Sequence, residues 1–127
     1  QTLSIEGEKS NIRVNCLAPT AATRMTEGLM PEAVLKALEP SAVVPAMLVM
    51  ASEDAPNRTI ICAGAGSFEV AHITLTQGVH LGTGPDTPER LAAALAQVMD
   101  RQGEKVPRSG SEQGALEVGK AMQAHGG

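Results

Sequence analysis

The sequence has almost no aromatic residues. Among its 127 residues there is no Trp and no Tyr, and Phe68 is the only aromatic side chain. A reaction mechanism that needs a tyrosine hydroxyl is therefore impossible on this chain alone.

Cysteine is also scarce. Cys16 and Cys62 stand in separate apolar stretches, which is typical of reduced, buried core residues and favours that interpretation over a disulfide. The three histidines, His72, His80 and His125, show no ligand spacing to either cysteine. We therefore expect no metal site.

The sequence also has no excess of basic residues and no long apolar run. The net charge is −4 and the pI is about 5.3, so we expect no nucleic-acid partner, because such partners need clustered Lys and Arg. No apolar run is long enough to cross a bilayer and no secretory leader is visible, so we expect no membrane partner. The sequence starts at Gln1 rather than Met, which suggests trimming or a fragment of something longer.

The residues that are present predict alternating helices and strands in the first part of the chain. A helix tail over residues 1–7 precedes a strand over 12–18, which Pro19 ends. Two helices follow, over 31–38 and 41–55, and the second is so apolar that we expect it to be buried on most sides. A second strand is predicted over 59–62. This order favours an α/β fold with parallel pairing, although two strands alone make a poor sheet.

The second part of the chain is less regular. Residues 69–84 alternate weakly and could be extended. Residues 87–99 predict a helix with Thr87 as its N-cap and Pro88 at the first helical position. The segment "SEQGALEVGKAMQ" predicts only a marginal helix, because it contains Gly114 and Gly119. The glycine pairs in "GAGSFE" and "GTGPD" are interpreted as turns, since neither completes a phosphate-binding motif.

Three segments carry a resemblance to a known family. Taken in order, they resemble the C-terminal half of a short-chain dehydrogenase/reductase. The segments are "TLSIEGEKSNIRVNCLAPTAATRMT", "LMPEAVLKALEPSAVVPAMLVMASEDA" and "RTIICAGAGSFEVA". Within that family, "LAPTAATRMT", "LMPE" and "SEDA" are most similar to the hydroxyacyl-CoA dehydrogenase domain of peroxisomal-type multifunctional β-oxidation enzymes and their bacterial relatives. The resemblance implies that residues 1–75 form the C-terminal part of a Rossmann-like parallel sheet, with its last two strands and flanking helices. Residues 76–127 would form a C-terminal extension with one helix and a Gly-rich tail.

The resemblance also implies a cofactor site in the loop after the first strand. Members of the family contact the nicotinamide end of a dinucleotide through this loop. Here the loop comprises Pro19, Thr20, Ala21, Ala22 and Thr23. Thr23 matches the threonine that binds the carboxamide, and Thr20 replaces the usual glycine. NAD is the implied cofactor, with NADP not excluded. The helix over residues 30–38 matches a flap on the substrate side, or is simply a surface helix, and Arg24 is either a substrate-phosphate contact or a solvated loop residue.

The catalytic Ser, Tyr and Lys of the family have no counterpart here, nor has its Gly-rich turn. The implied function is that of a fragment of an NAD(P)-dependent dehydrogenase that oxidises a secondary alcohol of the 3-hydroxyacyl-CoA type and is inactive alone. Its expected partners are the missing N-terminal half or a partner chain, and further copies in a homo-oligomer. The alternatives are a non-catalytic interaction or oligomerisation module, and a free-standing fold completed by residues 76–127. The expected location is cytoplasmic, or peroxisomal in a eukaryote.

Overall fold

A computed structural model describes residues 1–125, and the chain divides into two compact units, Gln1–His72 and Ile73–Gly127. The last two residues of the predicted Gly-rich tail lie outside the described part. The first unit contains three helices, α1 (Thr2–Glu8), α2 (Glu32–Ala37) and α3 (Val44–Met50). Short 3₁₀ turns cover Arg24–Thr26 and Pro40–Val43, and the strands are β1 (Cys16–Pro19), β2 (Ile60–Gly64) and β3 (Ser67–Ala71).

The sheet of the first unit is mixed, with the strand order β1-β2-β3. β1 and β2 are parallel, and Cys16 lies opposite Ile60. β2 and β3 are antiparallel and form a hairpin. Its two turn residues, Ala65 and Gly66, both have positive φ (50° and 74°), as a tight type I′ turn requires. The α/β class is confirmed and the first glycine pair is a turn, whereas β3 is a third strand that the weak alternation of its residues did not identify.

The first strand begins later than predicted, because side chains replace the ladder at its start. The Val14 N–H donates to Asn57 Oδ1 at 2.9 Å. The Thr59 N–H donates to Asn15 Oδ1 at 3.1 Å, and the Asn15 amide donates in turn to the Pro56 carbonyl at 2.7 Å. Regular β pairing therefore starts only at Cys16.

The core of the first unit is small. Val43, Ala46 and Ala63 are buried, and Leu17 and Ile61 pack against them. The prediction that the helix over 41–55 is buried on most sides is wrong. Ala46 faces the core, but four other apolar residues of α3 are 44–67% exposed: Val44, Met47, Leu48 and Val49. A helix resting on a three-stranded sheet buries one face only.

A further expectation about burial is also wrong. Cys16 is exposed and Cys62 only half-buried, although both are free thiols as predicted. Among the methionines, Met25 is 88% exposed, Met47 54% and Met30 39%. The reason is the same in each case, because an apolar side chain is buried only where a second element lies over it.

The second unit contains α4 (Thr87–Ala93), α5 (Leu95–Val98) and α6 (Gly110–His125). The predicted helix over 87–99 is interrupted at Ala94, and its N-cap is Asp86 rather than Thr87. α6 is the longest helix in the described part of the chain, with 16 residues, so the segment predicted as a marginal helix is helical and its marginal stability stays a prediction. Outside the helices, Leu75 and Lys105 form an antiparallel bridge. No helix within residues 1–125 is long and apolar enough to span a membrane.

Candidate functional site

The loop of residues 19–23 lies at the carboxyl end of the parallel strand pair, and β2 holds its first residues in place. The Thr20 N–H donates to the Ala63 carbonyl at 2.8 Å, which extends the β1–β2 pairing by one residue beyond Pro19. Gly64 lies directly against Thr20. A Cβ built on Gly64 would be 2.8 Å from the Thr20 carbonyl oxygen and 2.9 Å from the Thr20 Cβ. Only glycine therefore fits at position 64 without displacing the loop.

The far end of the loop is held by a reciprocal cap. The Met25 N–H donates to Thr23 Oγ1 at 3.3 Å, and the Thr23 N–H donates to Thr26 Oγ1 at 2.9 Å. The Thr26 hydroxyl in turn donates to the Thr23 carbonyl at 2.8 Å. This is a capping box, in which two side chains satisfy each other's backbone groups at the start of the 3₁₀ turn.

A third contact closes the base of the segment that follows. The Ala22 N–H donates to the Leu38 carbonyl at 2.6 Å, so residues 23–37 form a loop whose two ends meet beside the site. This segment contains α2 and, in addition, exposed apolar side chains, among them Met25 at 88% and Leu29 at 74%. The helix predicted over 30–38 therefore belongs to a tethered segment with exposed apolar side chains, anchored next to residues 19–23, and its role as a flap stays a prediction.

Three hydrogen-bond donors of the loop remain available: the Thr20 hydroxyl, the Ala21 N–H and the Thr23 hydroxyl. Ala21 is half-buried, and within residues 1–125 its N–H forms no hydrogen bond. Thr23 Oγ1 accepts from the Met25 N–H, which leaves the hydroxyl hydrogen of Thr23 free to donate. The Ala21 N–H and the Thr23 hydroxyl, which are two residues apart, suit a neutral oxygen acceptor such as an amide carbonyl better than a cation.

The loop contains no group for acid–base chemistry. Pro19, Thr20, Ala21, Ala22 and Thr23 include no titratable side chain, and Arg24 is exposed. Among residues 1–125 there is also no group of three His, Cys, Asp or Glu side chains that could hold a metal ion. The arrangement can bind and orient a polar group, but it cannot move a proton. The roles predicted for these five residues stay a prediction.

The sequence interpretation overlooked three residues that shape the site: Thr26, Leu38 and Gly64. Thr26 could have been found from the Thr-x-x-Thr spacing, which resembles a capping box although Glu or Gln is more usual at its last position. Leu38 and Gly64 act through their backbones. Their sequence context does not reveal this, because contacts of a main chain depend on the tertiary fold.

Comparisons with known proteins agree with the resemblance seen in the sequence. No protein-family model matches the chain. It is 35% identical to a short-chain type dehydrogenase/reductase of Mycobacterium tuberculosis, over 83% of this chain and 37% of that protein. It is 33% identical to the peroxisomal multifunctional enzyme type 2 of Mus musculus, over 98% of this chain and 18% of that protein.

A solved structure shares the fold. The full-length peroxisomal multifunctional enzyme type 2 of Drosophila melanogaster aligns with a TM-score of 0.76 and 24% identity, over 93% of this chain and 22% of that one. The chain thus spans little more than a third of the length of the M. tuberculosis relative and less of the others. The family resemblance is confirmed: the chain is homologous to part of the short-chain dehydrogenase/reductases, including those of peroxisomal multifunctional enzymes.

Proposed function

We propose that the chain forms the nicotinamide-side portion of an NAD(P)-dependent dehydrogenase that oxidises a secondary alcohol of the 3-hydroxyacyl-CoA type. The observation that supports this most directly is the loop after β1, which keeps donors at Thr20, Ala21 and Thr23 available at the carboxyl end of a parallel strand. Open α/β sheets bind ligands at that edge. The names of the relatives supply the reaction class, since they include dehydrogenases and peroxisomal multifunctional enzymes.

The donors fit a nicotinamide group. The Ala21 N–H and the Thr23 hydroxyl would both donate to the carboxamide carbonyl, and the small side chains of Ala21 and Ala22 allow a flat ring to approach the backbone. When bound, the nicotinamide supplies hydride transfer. Within this chain, the loop would orient the ring and the segment of residues 23–37 would exclude water from it. NAD is preferred to NADP on the family resemblance alone.

Proton transfer requires residues from elsewhere. A tyrosine general acid/base cannot come from these 127 residues, because they contain no Tyr. We propose that the remaining half of the site, with its Tyr and Lys, is supplied by another part of the polypeptide or by a partner chain. β1 could pair with a strand of that missing half, since its outer edge has no strand beside it in the three-stranded sheet.

A second candidate function, as an interaction or oligomerisation module, is favoured by one apolar surface. Val44, Leu48 and Val49 of α3 are 44–67% exposed, and Phe68 and Val70 of β3 are about half exposed. Scattered apolar residues are ordinary, but Val49 of α3 and Phe68 of β3 line one apolar depression, and exposed apolar side chains that lie together indicate a contact surface. Both candidates are compatible with a homo-oligomer. The proposed location is the peroxisome in a eukaryote, as the names of the relatives suggest, and the cytoplasm otherwise.

The test uses the polypeptide expressed from its complete reading frame. Its intact mass and its oxidation of 3-hydroxyacyl-CoA substrates, followed by NADH or NADPH formation, decide between the two candidates. We expect Thr23→Val to weaken binding of the nicotinamide cofactor several-fold, on the order of one hydrogen bond, and Thr23→Ser to retain it. A protein that binds no dinucleotide would refute the dehydrogenase proposal and leave the interaction module.

A further inference from the structure

Thr26 interacts with the site through the backbone of Thr23 and not through any ligand-facing group. Its Oγ1 accepts from the Thr23 N–H at 2.9 Å and donates to the Thr23 carbonyl at 2.8 Å. The Thr26 N–H adds a third bond, to the same carbonyl at 2.9 Å. Thr26 is half-buried, whereas Thr23 and both side-chain bonds between the two residues are exposed.

These bonds determine which donors of the loop stay available. With Thr26 in place, the Thr23 N–H and carbonyl are both satisfied within the protein, and at Thr23 only the hydroxyl hydrogen remains for a ligand, beside the Ala21 N–H and the Thr20 hydroxyl. Without the Thr26 hydroxyl, the Thr23 N–H has no partner. The backbone at Thr23, which is extended at φ −136° and ψ 173°, then keeps only the bond from the Thr26 N–H to its carbonyl and loses the two bonds that the Thr26 hydroxyl makes.

We propose that Thr26 is a positioning residue for the nicotinamide end of the dinucleotide, acting by fixing the backbone and hydroxyl of Thr23. This inference rests on the proposed function. It differs from a purely structural role, because a simple cap would affect folding or every ligand alike. A positioning role affects only the part of the ligand that meets Thr23.

The experiment compares NADH with ADP-ribose, which lacks the nicotinamide ring. Both are titrated against the polypeptide expressed from its complete reading frame, as wild type, Thr26→Val and Thr26→Ser, with Thr74→Val as a matched control in the second unit. We expect Thr26→Val to bind NADH roughly five- to tenfold more weakly, on the order of one to one and a half hydrogen bonds. ADP-ribose binding should stay unchanged in every variant, and Thr26→Ser should restore NADH binding.

Each alternative outcome is decisive. Unchanged NADH binding in Thr26→Val, with normal binding in the wild type, overturns the positioning role and leaves the proposed function intact. An equal loss for NADH and ADP-ribose also overturns it, since the effect is then structural. A wild-type protein that binds neither ligand removes the proposed function and this inference with it. If Thr26→Val does not fold, Thr26→Ala is measured in its place, because the comparison of two ligands is internal to each variant.

Discussion

Replacing Gly64 with alanine tests how β2 holds the candidate site. The new Cβ would lie 2.8 Å from the Thr20 carbonyl oxygen, about 0.6 Å short of the 3.4 Å at which ordinary contact begins. The obstructing atoms are backbone and Cβ, so they cannot swing aside as the end of a flexible side chain would. Either β1 and β2 separate locally or the loop moves outward, and the 2.8 Å bond from the Thr20 N–H to Ala63 is strained in both cases. Overpacking of this kind costs about 1–3 kcal/mol.

The free energy of unfolding is measured by urea titration followed by far-UV circular dichroism, since the sequence contains no Trp or Tyr to serve as a fluorescent probe. Gly66→Ala is the matched control. It lies two residues away with nothing within 4 Å of its added Cβ, but its φ is +74°, so its cost of about 1–2 kcal/mol comes from backbone strain in the turn. Gly64→Ala should shift the amide resonances of Thr20 and Ala21, whereas Gly66→Ala should not. A Gly64→Ala protein with unchanged stability and unchanged resonances would refute the argument.

Two further predictions concern the second unit. Gly114→Ala combined with Gly119→Ala should stabilise α6 by roughly 1–2 kcal/mol, because each glycine inside a helix is unfavourable by about 0.5–1 kcal/mol relative to alanine. Neither added Cβ has a neighbour within 4 Å. A lower urea midpoint in the double variant would contradict this. Hydrogen bonds from Arg101 and then Thr74 hold the pKa of Glu104 below its usual 4.5. The Glu104 carboxylate therefore stabilises the folded state fully above pH 4.5, and this stabilisation is lost as the pH falls through the lower pKa of the folded state. Glu104→Gln should remove this part of the acid dependence of the melting temperature, and an identical pH profile in the variant would show that the interaction contributes nothing.

The candidate site was partly predictable. The strand pattern that ends at Pro19 predicted that a loop follows, and it does follow β1, whereas the choice of residues 19–23 as a cofactor loop came from the family resemblance. The donors that remain available there were not predictable. Except for the local cap by Thr26, they depend on which backbone groups Leu38 and Ala63 already satisfy, and hydrogen bonds between segments distant in sequence leave no periodic signal.

Burial failed as a prediction for a related reason. The apolar composition of α3 is that of a helix covered on several sides, yet Leu48 is 67% exposed and Met47 54%. A sequence pattern records how apolar a surface is, but it does not say which element covers it. In this chain the apolar surfaces of α3 and β3 are consistent with the proposed partner half or further copies.

Local chemistry in the sequence by itself determined the α/β class, the parallel pairing of the two main strands, the glycine turn and the position of the loop after β1. Short-range propensities and the alternation of side chains along a strand act within a few residues, so they can be read directly. Only the tertiary structure decided that Gly64 must lack a side chain and that the Leu38 carbonyl accepts from the Ala22 N–H. Those outcomes depend on contacts and hydrogen bonds that exist only once the chain has folded.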